Sequence, residues 1–385
     1  MFLDLNEEQN LIRATARRFA ETELAPLAAA LDRGEQQQQF LDNLRKLAEL
    51  GFMGLNVKAD YGGSEAGVIA FSVALTEIAR ACASTAVTVS VNNMVCEVIQ
   101  AVGNEEQRLR YIPKICSGEF LAGAFALTET GAGSDPAAMT TLALRDGDDW
   151  ILNGSKIFIS SAPYAGVFVV WAVTDRNAAK GKGISCFLVA AGTPGCLVGR
   201  AEEKMGQHAS ATNELLLQDC RIPGSALMGK LNDGFRVAVA ELAGGRIGIG
   251  SLGLGIGQAA LEAASRYALE RKQFGQPISN FQAIQWKIAD AATDLEAARL
   301  LLMNAAFRKE QGKTYSKEAS MAKLFATEAA NRVCYEAMQI FGGYGYTSEF
   351  PVERYTRDAR ITTIYEGTSE IQRLIIAREV LRGYA

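Results

Sequence analysis

Apolar and polar positions alternate with three different rhythms along the chain. Asn6 precedes a stretch in which Leu11, Ile12, Ala16 and Phe19 recur at helical spacing, and Gln9 stands where a capping box places its reciprocal partner. Leu41, Leu44, Leu47 and Leu50 repeat the pattern within Phe40–Leu50, and Gly51 follows as a stop. Phe71–Ala83 and Ser90–Val102 continue it, so residues 1–120 predict a helical domain. Between 121 and 228 the rhythm shortens to strand-like runs at Trp150–Asn153, Lys156–Ser160, Val167–Val173, Ile184–Val189 and Glu214–Gln218. Asp-Gly, Asn-Gly and Lys-Gly turns punctuate them, and no helical spacer intervenes. That order predicts an antiparallel β-barrel or sandwich rather than a βαβ sheet. From 229 to 385 helical spacing returns: Phe281, Ile284, Ile288, Ala292, Leu295 and Ala298 share one face, and Lys317–Phe341 forms another long element. An antiparallel helical bundle follows, and the whole chain reads as a multi-domain α+β protein.

Composition narrows the chemistry. Hydrophobic residues make up 49% of the 385 and charged residues 21%, a soluble globular balance. A net charge of −4 disfavours nucleic acid as the main partner, and no apolar run is expected to reach the ~20 residues of a membrane span. Met1–Glu8 is acidic and carries no export or organelle signal, so the expected location is the cytoplasm, or the mitochondrial matrix for a processed form. The seven cysteines are scattered without a Cys-x-x-Cys pair, which argues against a zinc ribbon or disulfide framework and for small buried hydrophobes. His208 is the single histidine and has no neighbouring carboxylate pattern, so general-base chemistry falls to a carboxylate, lysine or tyrosine. No metal site is expected.

Three glycine-containing segments and one carboxylate stand out. Gly248-Ile-Gly-Ser-Leu-Gly253 fits the dinucleotide fingerprint, but it lies within helical text with no strand before it. Close helix packing through small residues is the better reading. Ala126–Asp135 (Ala-Leu-Thr-Glu-Thr-Gly-Ala-Gly-Ser-Asp) is a turn or a cradle for a planar or phosphorylated ligand. Arg271-Lys-Gln-Phe-Gly-Gln276 is a solvated helix end with a glycine stop, or a phosphate grip through the arginine. Glu366, between Tyr365 and Gly367, has the setting of a partly desolvated base or of a plain inter-helix turn.

Taken together, and in this order, Thr-Glu-x-Gly-x-Gly-Ser-Asp at 128–135, Trp-x-Leu-Asn-Gly-Ser-Lys at 150–156, Asp-Cys-Arg-Ile-Pro at 219–223, Arg-Lys-Gln-Phe-Gly at 271–275, Gln339–Gly343 and Tyr-Glu-Gly-Thr-Ser-Glu at 365–370 resemble the acyl-CoA dehydrogenase family. The resemblance covers essentially the whole chain. It implies a helical domain, a β-barrel-like middle domain and a C-terminal four-helix bundle, in a homotetramer (a dimer of dimers) with one FAD per subunit. It implies that Leu127, Thr128, Gly133 and Ser134 contact the flavin, with Ser134 also near CoA, and that Phe158, Ile159 and Ser160 line the isoalloxazine. Phe158 stands where many relatives carry tryptophan. Arg271, Phe274, Gln282, Gln339, Ile340, Phe341, Gly342 and Gly343 are expected to grip the pyrophosphate and adenosine across a subunit interface, and Thr368, Ser369 and Glu370 to complete the site. Glu366 matches the base that removes the α-proton while the β-hydride passes to flavin N5, with its own backbone N–H polarising the thioester carbonyl. Arg246 and Gly367 are expected near the substrate.

Some relatives carry the base just before the arginine of the 241–246 segment, where this chain has Gly245. Thr130 replaces the usual proline of the glycine-rich loop, and Ala243 replaces the aspartate of butyryl-type relatives. Gly-Gly-Arg resembles isobutyryl-type enzymes, whereas Ser90-Val-Asn-Asn93 resembles short straight-chain ones. The expected function is dehydrogenation of short or short-branched acyl-CoA, with electrons passing to an electron-transfer flavoprotein. Alternatives are a medium-chain acyl-CoA dehydrogenase, an oxygen-using acyl-CoA oxidase, and a non-catalytic flavoprotein assembly module.

Overall fold

The computed structural model describes residues 4–384; the first three residues of the acidic N-terminal octapeptide lie outside them. The helical first part comprises α1 (Glu7–Phe19), α2 (Ala28–Asp32), α3 (Gln37–Glu49), α4 (Gly67–Ala81), α5 (Ala83–Val102) and α6 (Glu105–Cys116). Asn6 accepts from the Gln9 amide and Gln9 returns the bond, so the capping box forms as read. Helix α3 starts three residues before the expected Phe40, within a glutamine run that carries no periodicity.

The middle part holds β1 (Ala122–Ala126), β2 (Leu142–Asp146), β3 (Asp149–Ser160), β4 (Ala165–Val173), β5 (Ile184–Ala190), β6 (Cys196–Ala201), β7 (Thr212–Pro223) and β8 (Leu227–Met228). They form one eight-stranded sheet in the order β6-β7-β3-β2-β4-β5-β8, with β1 added beside β4. Most pairings are antiparallel, as expected. Strand β1, however, runs parallel to β4, and β2 meets β4 in parallel at Leu142–Val173. The long β3–β7 ladder explains the alternating burial of both strands: Trp150, Leu152, Leu215, Leu217, Cys220 and Ile222 pack into one apolar cluster.

The last part comprises α7 (Gly234–Glu270), a small hairpin of β9 (Lys272–Gln273) and β10 (Gln276–Pro277), then α8 (Gln282–Glu310), α9 (Ser316–Phe341), α10 (Val352–Arg360) and α11 (Ser369–Arg382). Helix α7 corrects the reading that no apolar run approaches membrane length, because its length and composition would allow a span. Most of its apolar stretch (78%) is instead buried inside the protein, where it packs against α4, α5, α8 and α9. The glycines that mimic a dinucleotide motif lie in mid-helix. A Cβ at Gly250 would stand 2.7 Å from Leu302 of α8, and one at Gly253 3.3 Å from Thr327 of α9. They are there for close helix contact.

A buried ion pair secures the loop after β1. Lys156, fully buried on β3, donates to Glu129 Oε1 (2.8 Å) and to the Leu127 carbonyl (3.1 Å). Glu129 also accepts from the Thr140 and Thr141 amides and the Thr140 hydroxyl. Burial pushes the Glu129 carboxyl up, but the Lys156 charge and these donors outweigh it and hold it at about 2, below its usual 4.5. The stabilisation is therefore present above the ordinary carboxylate range and fades as pH falls toward 2. Glu129→Gln strands a buried ammonium and should cost about 3–5 kcal/mol in urea unfolding at pH 7, whereas the double variant E129L/K156M should cost much less. Equal losses in the two variants would refute this account.

Candidate active site

Helix α10 ends at Arg360, a 3-10 turn spans Ile361–Thr363, and the chain then reverses through Glu366 (φ 52°) and Gly367 (φ 95°) before Thr368 caps α11. Glycine adopts a left-handed backbone freely, whereas a glutamate there costs on the order of 1–2 kcal/mol. Surrounding contacts hold it in that conformation. Gln372 donates to the Gly367 carbonyl (2.9 Å), and Gln207, from the segment before β7, donates to the Tyr365 hydroxyl (3.3 Å). Gln207 is itself fixed by donating its amide to Asp358 (2.5 Å), a buried carboxyl pushed up to about 6 by burial. The middle part and the bundle therefore meet immediately behind the glutamate.

The Glu366 side chain is partly buried, and its Oε2 is sealed from solvent without a hydrogen-bond partner. Burial raises the carboxyl to about 7, with Lys323 and Arg246 pulling against the rise. Arg246, on α7 and 5% exposed, has Nη1 at 3.3 Å from the Ser316 hydroxyl and 3.4 Å from that of Ser320. Its Nε has no partner, and burial lowers the guanidinium to about 10. Space for the carboxylate comes from α7: a Cβ added at Gly245 would stand 2.3 Å from Glu366 Oε2 and 3.1 Å from Met94 Sδ. At Gly244 the added Cβ would meet Lys309 Nζ at 2.8 Å, and Lys309 pairs with Glu97. One turn earlier, burial and then Glu97 push the Glu241 carboxyl well above the ordinary range. Two adjacent glycines thus let the Lys309 ammonium and the Glu366 carboxyl lie close against the α7 backbone. Among the described residues the Glu366 N–H has no acceptor.

The other candidate residues fall into two groups. Leu127 and Ile159 are buried, Thr128 and Ser160 partly so, and Gly133, Ser134 and Phe158 are exposed. These are neighbours, because Ile157 donates to the Thr128 carbonyl (2.9 Å) and the Lys156–Glu129 pair pins the loop to β3. Phe158 is 59% exposed at φ 58°, and Ser161 beyond it (φ 65°) has a buried, unpartnered hydroxyl. The second group lies on the bundle surface. Phe274 (φ 50°) and Gly275 (φ 79°) turn the β9–β10 hairpin, so Gly275 is not a helix stop: α7 has already ended at Glu270. Phe274 is 92% exposed, and the Arg271 guanidinium lies 5.6 Å from the Tyr344 ring centroid. Gln282, Gln339, Gly342 and Gly343 are exposed, whereas Ile340 and Phe341 face the core, Phe341 stacking on Tyr267 at 4.1 Å. Ile340 and Phe341 can therefore offer a ligand only their backbone.

Near the base, Thr368 spends its hydroxyl on the Ile371 amide, Ser369 has a buried, unpartnered hydroxyl and Glu370 is exposed. Exposed aromatic faces, orphaned hydroxyls at Ser161 and Ser369, and open glycine backbone suit a large planar, polyhydroxylated, phosphorylated cofactor such as FAD.

His208 bridges the Asp32 carbonyl and carboxylate and the Lys204 carbonyl, a structural role that agrees with its exclusion as a base. Six cysteines are buried and Cys196 is partly so, all seven unpaired. No cluster of metal-ligating side chains exists among the described residues. Sequence reasoning gave no role to Lys323 or Gln207, and it placed Glu241 in the 241–246 segment without assigning it a place near the base. It quoted Glu129 and Lys156 without seeing that they pair.

Comparison with known proteins identifies the architecture. The models for the acyl-CoA dehydrogenase N-terminal, middle and C-terminal domains match residues 6–119, 124–220 and 232–381. The mouse "Short-chain specific acyl-CoA dehydrogenase, mitochondrial" is 47% identical over 99% of this chain and 92% of its own length. The solved butyryl-CoA dehydrogenase of Megasphaera elsdenii superposes with a TM-score of 0.95 at 38% identity, covering 99% of this chain and 100% of that one. A chain described under "Electron transferring flavoprotein of Acidaminococcus fermentans: Towards a mechanism of flavin-based electron bifurcation" gives 0.97 at 44% identity, with the same coverage. With all three domain models matched in order, the chain belongs to the acyl-CoA dehydrogenase family of FAD-dependent oxidoreductases.

Proposed function

We propose that this enzyme dehydrogenates short or short-branched acyl-CoA thioesters between the α- and β-carbons, with Glu366 as the α-proton base. The observation that carries the reading is the sealed, unpartnered Glu366 Oε2, lying close against the α7 backbone at Gly245, where no side chain intervenes. A carboxylate with one oxygen shut off from water and hydrogen bonds is a stronger base than a fully solvated one, and burial has moved its pKa to about 7, so at pH 7 it is half ionised and able to accept a proton. Arg246 and Lys323 keep the ionised form accessible. The unengaged Glu366 N–H is available to polarise the thioester carbonyl and acidify the α-carbon. FAD, held by the residues around Thr128, Phe158 and Thr368 and by the Arg271 and Gln339–Gly343 surface, would supply the acceptor for the β-hydride at its N5.

Met94 packs against Gly245, and Ser90 and Phe71 against Gly248, tight α5–α7 and α4–α7 contacts that favour a short acyl chain, and the mouse and Megasphaera relatives are named for short substrates. Phe274, Trp286, Tyr346 and Leu269 are all more than 60% exposed on the bundle, an aromatic surface that suits a second copy in a homotetramer. The chain from the electron transferring flavoprotein study favours such a flavoprotein as the electron acceptor.

The test is anaerobic bleaching of the flavin by a panel of C3 to C12 straight and branched acyl-CoAs, followed by reoxidation with electron-transfer flavoprotein or with air. Bleaching by butyryl- or isobutyryl-CoA is expected. A yellow protein unchanged by every thioester would end the proposal, and rapid reoxidation by air alone would make it an oxidase. Turnover should rise with pH through about 7 as Glu366 loses its proton, since only the carboxylate can accept another. Rates that fall across that interval would contradict the assignment.

A further inference from the structure

The position of the base depends on a backbone shape that glutamate does not favour, and one buried cation touches that backbone on both sides. Lys323, on α9, is fully buried and donates from Nζ to the Tyr365 carbonyl (3.1 Å) and to the Gly367 carbonyl (2.6 Å), the two residues flanking Glu366. Among the described residues it forms no salt bridge with a carboxylate. A buried ammonium held by two neutral carbonyls is an expensive arrangement, and an apolar side chain there would pack at lower cost.

We infer that Lys323 is a positioning residue for Glu366: its ammonium clamps the carbonyls on either side of the base, holds the left-handed Glu366–Gly367 turn, and sets a positive charge behind the carboxylate. The inference rests on Glu366 being the base. The two carbonyls are the ends of the strained segment, so one three-donor group spanning them restrains both torsional changes at once. Gln372 supplies a second donor to the Gly367 carbonyl from α11, which secures that side independently.

The charges facing this pair come from several elements. Arg246 on α7 pulls the Glu366 carboxyl down alongside Lys323. Burial lowers Lys323 to about 8; Glu366, Glu328 on α9 and Glu370 on α11 oppose that, and Arg246 adds to it. Glu241 on α7 also feels the Glu366 charge, and it stands near the Glu97–Lys309 pair of α5 and α8. Lys323 therefore carries its proton at pH 7, and its charge is the largest influence opposing the burial that raises the base.

The experiment is the pH profile of kcat/KM for butyryl-CoA, from pH 6 to 9.5, in FAD-loaded Lys323→Met, with the flavin spectrum and thermal melting as checks on folding. With the opposite charge gone, the acid limb should move upward by roughly one pH unit, so the loss is severalfold at pH 7 and partly recovered at pH 9. Lys323→Arg, which keeps the charge, should lower the rate while leaving the acid limb in place. If Lys323→Met does not fold, Lys323→Gln, which keeps a donor and removes the charge, carries the same test. A uniform loss at all pH values with an unmoved limb, or no change at all, overturns the inference. Absence of bleaching by any acyl-CoA in the parent enzyme would instead sink the reading of Glu366 as the base.

Discussion

Glu366→Gln should fold, bind FAD and lose dehydrogenation by about 10³–10⁴-fold, the upper part of the range for a general base. The substitution is close to isosteric, so the left-handed turn, the Gln372 and Lys323 contacts and the close approach to Gly245 should all persist. Only the ability to accept a proton is removed. Stability gives a second readout. A carboxyl raised to about 7 in the folded state, from its usual 4.5, makes the protein less stable as pH climbs through that window, because the folded form must surrender a proton it holds tightly. Glu366→Gln removes this penalty, so the variant should unfold at an equal or higher temperature than the parent at pH 8. Retained turnover with butyryl-CoA would refute the catalytic assignment; lower stability at pH 8 would refute the account of the burial.

The second large effect concerns where the carboxylate is attached. Glu366→Gly should abolish turnover while relaxing the backbone, since the position has φ 52°. Adding Gly245→Glu should then restore at least tenfold of the lost rate (order of magnitude). The reason is geometric: a Cβ at 245 would stand 2.3 Å from Glu366 Oε2, so side chains at the two positions address neighbouring space from facing walls. Recovery should be partial, because the new side chain must fold back into the vacated volume rather than reach it end-on. With Glu366 intact, the same Gly245→Glu substitution should be harmful, since two carboxylates would compete for one site. Steady-state kinetics with butyryl-CoA on the three variants decide it. No recovery in the double variant would show that the α7 wall does not face the reacting carbon.

Much of this was legible without coordinates. The helical, β, helical order follows from hydrophobic period alone, and the Asn6–Gln9 box and the Gly51 stop are short-range chemistry that needs no tertiary partner. Rejecting the Gly248–Gly253 fingerprint was possible for the same reason, because a helix on both sides excludes the strand that motif requires. The apolar run of α7 is hidden in the sequence because its glycines, placed for contact with α4, α8 and α9, break it when read one residue at a time. The β9–β10 hairpin was hidden by its brevity: two residues per strand carry no period.

What the one-dimensional chain determined, then, was the type and order of its elements, the turn that carries Glu366, and the set of motifs that mark the family. What only the tertiary structure decided was the electrostatics. Glu129 meets Lys156 across 27 residues, and Lys323 reaches the base turn across 42, so neither pairing leaves a local pattern to read. The pKa of Glu366 is likewise a property of the surroundings rather than of the residue. It is set by how completely α5, α7 and α9 exclude water from one oxygen and by where the two nearest cations stand, distances that exist only once the helices have packed.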